Sequence, residues 1–152
     1  MAKSYQLVAW TNHGQVRMIP SLVNDFINEE LDKINLIRDK IGYGTRHEIP
    51  DIMRVSNAYE RLAGQLLELG RTLDAFIQLT RAAQCCLCCS SEHWIDMEDY
   101  ETICNPLRSR FFAMFCRCKN MVRSNPELGF EWEKSGLQKS ADSISYRYDW
   151  AI

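Results

Sequence analysis

The sequence predicts an all-α domain, a helical bundle or short solenoid of five or six helices in antiparallel pairs with extended termini. Three observations predict it. Apolar residues recur at three-to-four spacing through most of the chain, the period of one helix face. All four prolines stand where such a run begins, a position at which the missing N–H costs nothing. Gly42 and Gly70 stand where two of the runs stop. A chain of 152 residues suits one domain, 1–152, with a core of its own.

The N-terminal arm, 1–19, reads in two ways. Tyr5 to Trp10 and Val16 to Ile19 flank Asn12-His13-Gly14, which suits a hairpin, but a short helix stopped by Gly14 fits as well. Pro20 opens the first helical run, through Leu22, Val23, Phe26, Ile27, Leu31, Ile34, Ile37 and Ile41. Pro50 opens the second, through Ile52, Val55, Tyr59, Leu62, Leu66 and Leu69. Thr72 is expected to cap the third: Leu73, Phe76, Ile77, Leu79 and Ala83. Trp94 to Cys104 reads as a short helix of its own. Asn105-Pro106 then serves as cap and first turn for a run through Leu107, Phe111, Met114, Phe115, Cys118, Met121 and Val122. Asn125-Pro126 starts a last piece, Glu127 to about Lys134. From Ile144 the pattern becomes period two: Tyr146, Tyr148 and Trp150 alternate with Ser145, Arg147 and Asp149. That predicts an extended tail, 143–152, with one apolar face for a partner or its own domain.

The segment from Asn57 to Cys89 resembles a tetratricopeptide repeat. Tyr59, Leu62, Ala63 and Leu66 match the first helix of that pattern, Gly70 the turn, and Ala75, Leu79 and Ala82 the second helix. Small residues let two helices approach, and large ones fill the space between them. Leu87 stands where the repeat usually closes with Pro, and shifting by the repeat length recovers no second copy. The resemblance implies a helical hairpin in a binding or scaffolding protein. It also implies ligand contacts from the first helix, which fall here at Asn57, Glu60, Arg61 and Gly64.

Composition narrows the function classes. The chain is 46% hydrophobic and 25% charged, which excludes disorder and a coiled-coil rod. Ser4 to Val16, the longest uncharged stretch, is too short to cross a bilayer. No basic-then-apolar leader is expected, and no Asn-x-Ser/Thr acceptor occurs. Seven cysteines, four of them at 85, 86, 88 and 89, make a poor disulfide framework. Reduced thiols and a cytoplasmic location are the expectation. On a helix wheel Cys86 continues the Ala75/Leu79/Ala82 face and belongs to the core. Cys85 and Cys88 fall on the other side and are the candidate metal ligands. Their C-x-x-C spacing suits zinc, but a closed site needs four ligands, and only Cys104, Cys116, Cys118 and His93 remain to supply them. The expectation is therefore no cofactor, with packing as the role of the thiols.

Charge separates in the second half. Glu92, Asp96, Glu98, Asp99 and Glu101 precede Arg108, Arg110, Arg117, Lys119 and Arg123. The basic run, 107–123, could serve a nucleic-acid adaptor, but a net charge of -2 and the helix dipole favour a structural reading. Enzyme motifs are absent: there is no Walker loop, no G-x-S-x-G and no H-E-x-x-H. His13, His47 and His93 lack the upstream arginine of the helical HEPN-type ribonucleases. The expected function is a non-enzymatic protein–protein interaction or scaffold protein, with a protein partner or a second copy in a homodimer. The alternative is a thiol-based metal or redox protein. Neither membrane nor nucleic acid is an expected partner. The candidate partner-binding residues are the four repeat positions together with Tyr146, Tyr148 and Trp150.

Overall fold

The structure is a computed structural model that describes residues 8–10, 16–18, 20–40, 49–90 and 97–148, with side chains at 22–40, 50–87 and 105–144. Among the described residues it is all-α apart from one short hairpin. Strands β1 (Val8–Trp10) and β2 (Val16–Met18) pair antiparallel, with Val8 opposite Met18 and Trp10 opposite Val16. The hairpin reading of the N-terminal arm therefore holds over those residues. Helices α1 (Pro20–Arg38), α2 (Ile49–Glu68) and α3 (Thr72–Gln84) follow, and a 3-10 segment, Cys85–Ser90, continues α3. Then come α4 (Met97–Ser124), a 3-10 turn at Pro126–Leu128, α5 (Gly129–Ser135) and α6 (Leu137–Tyr148).

The α2–α3 pair is the centre of the molecule. Gly70, at φ 75°, ends α2 in the left-handed conformation that L side chains resist. Its N–H bonds to Leu67 O at 3.0 Å, and the Arg71 N–H reaches back to Leu66 O at 2.9 Å. This pair of bonds satisfies carbonyls that the helix end would otherwise leave open. At the other end of the pair, Ser56 on α2 bonds to Ala82 O on α3. The helices thus lie against each other from turn to far end. Ala63, Ala75, Ala82 and Ala83 on the two helices are fully buried, as are Leu62, Leu66, Phe76 and Leu79.

Helix α4 covers this pair with Leu107, Phe111, Met114, Phe115 and Cys118, all buried. Phe111 meets Phe112 edge-on at 5.2 Å, and Phe115 meets Trp132 of α5 at 5.4 Å. Such pairs add about 0.5–1.5 kcal/mol each beyond the area they bury. Helix α1 docks by Val23 and Ile34, and Arg38 Nη1 donates to Tyr59 Oη at 2.9 Å. Leu137, Ala141 and Ile144 seat α6 on the core.

Three expectations need correction. Asn105-Pro106 does not start a helix: Pro106 lies inside α4, a single helix of 28 residues. The proline forfeits one backbone bond at a cost of about 3 kcal/mol. The aromatic stripe that follows it is fully engaged, and Pro106 itself faces solvent. Second, the tail is not extended over its described part, because α6 runs to Tyr148. Ile144 stands three residues after the buried Ala141 and seven after the buried Leu137, so it belongs to a helical stripe rather than to an alternating one. Third, Arg71 rather than Thr72 precedes the first turn of α3 as its cap residue, with no side-chain cap bond. Arg71 instead binds Asp74 through Nε at 2.6 Å and Asn24 of α1 through Nη2 at 3.3 Å.

Candidate interaction surface

The outward face of α2 follows from the same period that builds the core. With Val55, Tyr59, Leu62 and Leu66 turned inward, Arg54, Asn57, Arg61, Gln65 and Glu68 are left exposed. Two of the four positions implied by the resemblance, Asn57 and Arg61, lie open on this stripe, one helical turn apart. Gly64 continues it, half-buried, and a Cβ placed there would meet nothing within 4 Å. The backbone is therefore approachable at Gly64.

Glu60 is placed differently. Its Oε2 accepts from Arg117 Nη1 at 2.8 Å, and its Oε1 lies 3.6 Å from Arg110 Nη2. Both arginines come from α4, so Glu60 holds α4 against α2 and is already engaged within the chain. Arg110 also donates from Nε to Ser56 Oγ at 2.6 Å, and Ser56 donates to Ala82 O at 2.8 Å. Ser56 is fully buried, so this chain of bonds joins α2, α3 and α4 at one point inside the core. A hydrogen bond to a charged group contributes about 1.5–3 kcal/mol, and removing one partner strands the other. Sequence reading missed this knot. The available signal was a serine directly beside the apolar stripe of α2, between Val55 and Tyr59.

The knot includes a thiol. Cys86 is buried as expected, with Sγ 3.6 Å from Ser56 Oγ and 3.5 Å from Ala82 O. A hydrogen bond from Cys85 lowers the Cys86 pKa most. Burial opposes it, and Ser56 and the positive charge of Arg110 add to the lowering. Cys85 is half-buried, and its Sγ reaches the same Ala82 carbonyl at 3.2 Å. Cys88 stands three residues on in the 3-10 segment; its side chain is outside the described residues. Among the described residues no three His, Cys, Asp or Glu side chains group as metal ligands. Cys118 behaves as core, and burial pushes its thiol up to about 12 against the opposing charge of Arg117.

The five bases of α4 do not make one exposed face. Arg108 is only 2% exposed, Arg110 is committed to Ser56 and Glu60, and Lys119 lies 5.7 Å over the Phe115 ring. Arg117 and Arg123 are exposed. At the C-terminus, Tyr146 and Tyr148 fall in the last turns of α6, with side chains outside the described residues; Trp150 lies outside them altogether. Among the described residues no helix is long and apolar enough to cross a membrane. No protein-family model, no curated protein and no solved structure matches the chain.

Proposed function

We propose that the chain is a non-enzymatic protein–protein interaction or scaffold protein, built around a tetratricopeptide-like helix pair. One observation carries the reading. Asn57, Arg61 and Gly64 form an open stripe on α2, backed by a helix that the α3 packing and the Glu60–Arg110–Arg117 bridge hold in place. A rigid helix with polar side chains and an approachable glycine is suited to take an extended or helical peptide. Exposed Arg61 favours an acidic one, whereas Arg54 on the same stripe already faces Asp51 at 3.7 Å. Free thiols at Cys116 and Cys118 suit a reducing compartment such as the cytoplasm.

Peptide display against the folded chain tests the reading. Selected ligands are expected to be acidic and to bind at least about tenfold more weakly to Arg61→Glu, a change of about 1.4 kcal/mol. Far-UV circular dichroism of the variant should match that of the parent. Ligands that bind both proteins alike would remove this surface from the account.

A further inference from the structure

The Ser56 knot ends in a pair of thiols. Cys85 and Cys86 follow the last turn of α3, and their Sγ atoms lie 3.2 and 3.5 Å from one acceptor, Ala82 O. Cys85 also donates a hydrogen bond to Cys86, so the two sulfurs are direct neighbours. Cys86 is fully buried, whereas Cys85 is half-buried and brings the pair to the edge of solvent.

The pair is ill suited to a bridge between its own sulfurs. Cα atoms of adjacent residues stand about 3.8 Å apart, short of the roughly 4.4–6.8 Å that a disulfide spans. Zinc fits no better, because a closed site takes four ligands. Among the described residues no third His, Cys, Asp or Glu joins the two thiols. Two thiolates alone satisfy a soft cation that accepts a linear arrangement, and thiolate softness selects Cu(I).

The surroundings suit the charge of such a site. Cu(I) between two thiolates carries a net negative charge, which needs compensation when it is taken out of water. Arg110 supplies it. Its Nε donates to Ser56 Oγ at 2.6 Å, and Ser56 Oγ lies 3.6 Å from Cys86 Sγ. Arg110 Nη2 is buried and makes no hydrogen bond among the described residues. Glu60, which faces that nitrogen at 3.6 Å, is shared with Arg117 at 2.8 Å. The hydrogen bond from Cys85, then Ser56 and the Arg110 charge, outweigh burial and hold the Cys86 thiol below its ordinary value.

We propose that Cys85 and Cys86 form a binding site for one Cu(I) ion. The cation meets Cys85 first and passes inward to Cys86. Each thiol gives its proton to solvent as its copper–sulfur bond forms. The copper stays cuprous, and no electron is transferred. Ala82 O loses two S–H donors but keeps the Ser56 hydroxyl at 2.8 Å. The open stripe of α2 takes no part, so a peptide partner and a metal ion succeed or fail separately.

Titration of the full, reduced chain under anaerobic conditions, with Cu(I) supplied on a chromophoric chelator, tests this. The expected result is one Cu(I) taken from the chelator per chain, with an X-ray absorption spectrum of copper in line between two sulfurs. Cys85→Ser should weaken binding by more than the roughly 10–100-fold that loss of an outer-shell partner costs, with its circular dichroism unchanged. Cys86→Ser should do the same. Cys88→Ser/Cys89→Ser/Cys116→Ser should bind as the parent chain does. A chain that takes no Cu(I) from the chelator overturns the proposal. So does copper bound by three or more sulfurs, binding that survives Cys85→Ser, or binding lost in a folded triple variant. The spectrum of the unaltered chain and the Cys85→Ser titration decide the matter even if Cys86→Ser folds poorly.

Discussion

Individual side chains in this protein are assigned by what surrounds them more than by their type. Cys86 and Cys118 are both fully buried, yet their thiols move in opposite directions. Cys86 lies among Cys85, Ser56 and Arg110, which together favour the thiolate. Cys118 is shut away from water, and that burial keeps it protonated despite the nearby Arg117. The Cys118 shift has a consequence for stability. Its folded pKa, about 12, lies above the ordinary thiol value of 9.0. The stabilisation it reflects is complete below pH 9 and is lost as pH rises towards the folded value, because the unfolded chain ionises first. The slope approaches about 1.4 kcal/mol per pH unit in that window. Urea midpoints at pH 8 and pH 10 should therefore fall more steeply for the parent chain than for Cys118→Ala. Equal slopes would show that the thiol ionises in place. Cysteine spacing was legible in the sequence, and Cys86 was correctly placed in the core. Its polar neighbours were not legible, because Ser56 and Arg110 are brought to it by two other helices.

The elements divide by whether local chemistry or distant packing decides them. Pro20 and Gly70 act locally, and the helices they bound are where the sequence puts them. At Gly70 the mechanism is visible: the left-handed turn that closes α2 has room for a methyl group, so only backbone strain opposes a side chain. Gly70→Ala should therefore cost about 1–2 kcal/mol, without repacking. Chemical denaturation would read that loss as a lower midpoint at unchanged slope. A neutral substitution would mean that the α2–α3 turn is not held at positive φ. Pro106 shows the opposite case. Its local signal, a helix start after Asn105, is overridden by the run from Leu107 to Cys118, which binds α4 to the core as one piece. The tail misleads for a related reason. Ile144 and Tyr148 are two residues of an alternating series and also one helical turn apart, so only the burial of Leu137 and Ala141 decides between the periods.

At the scale of the whole molecule, the α2–α3 pair is a platform with one side closed and one side open. Helix α4 closes one side through its aromatic stripe and the Ser56–Arg110–Glu60 knot. Helix α1 ties on through Arg38 and Tyr59, and α6 through Leu137 and Ile144. The Asn57/Arg61/Gly64 stripe remains open. The all-α class was legible because helical periodicity is local. The site was legible only in part: the α2 positions follow from the repeat-like spacing, but the commitment of Glu60 to α4 depends on contacts 50 and 57 residues away. That open stripe is the surface proposed to meet a partner. The direct measurement is a nuclear magnetic resonance titration of the isotope-labelled chain with an acidic peptide from the display selection. Amide shift changes should concentrate at Asn57, Arg61 and Gly64, with those of Leu62 and Leu66 small. A footprint centred on α5 or α6, with the α2 amides unmoved, would contradict it.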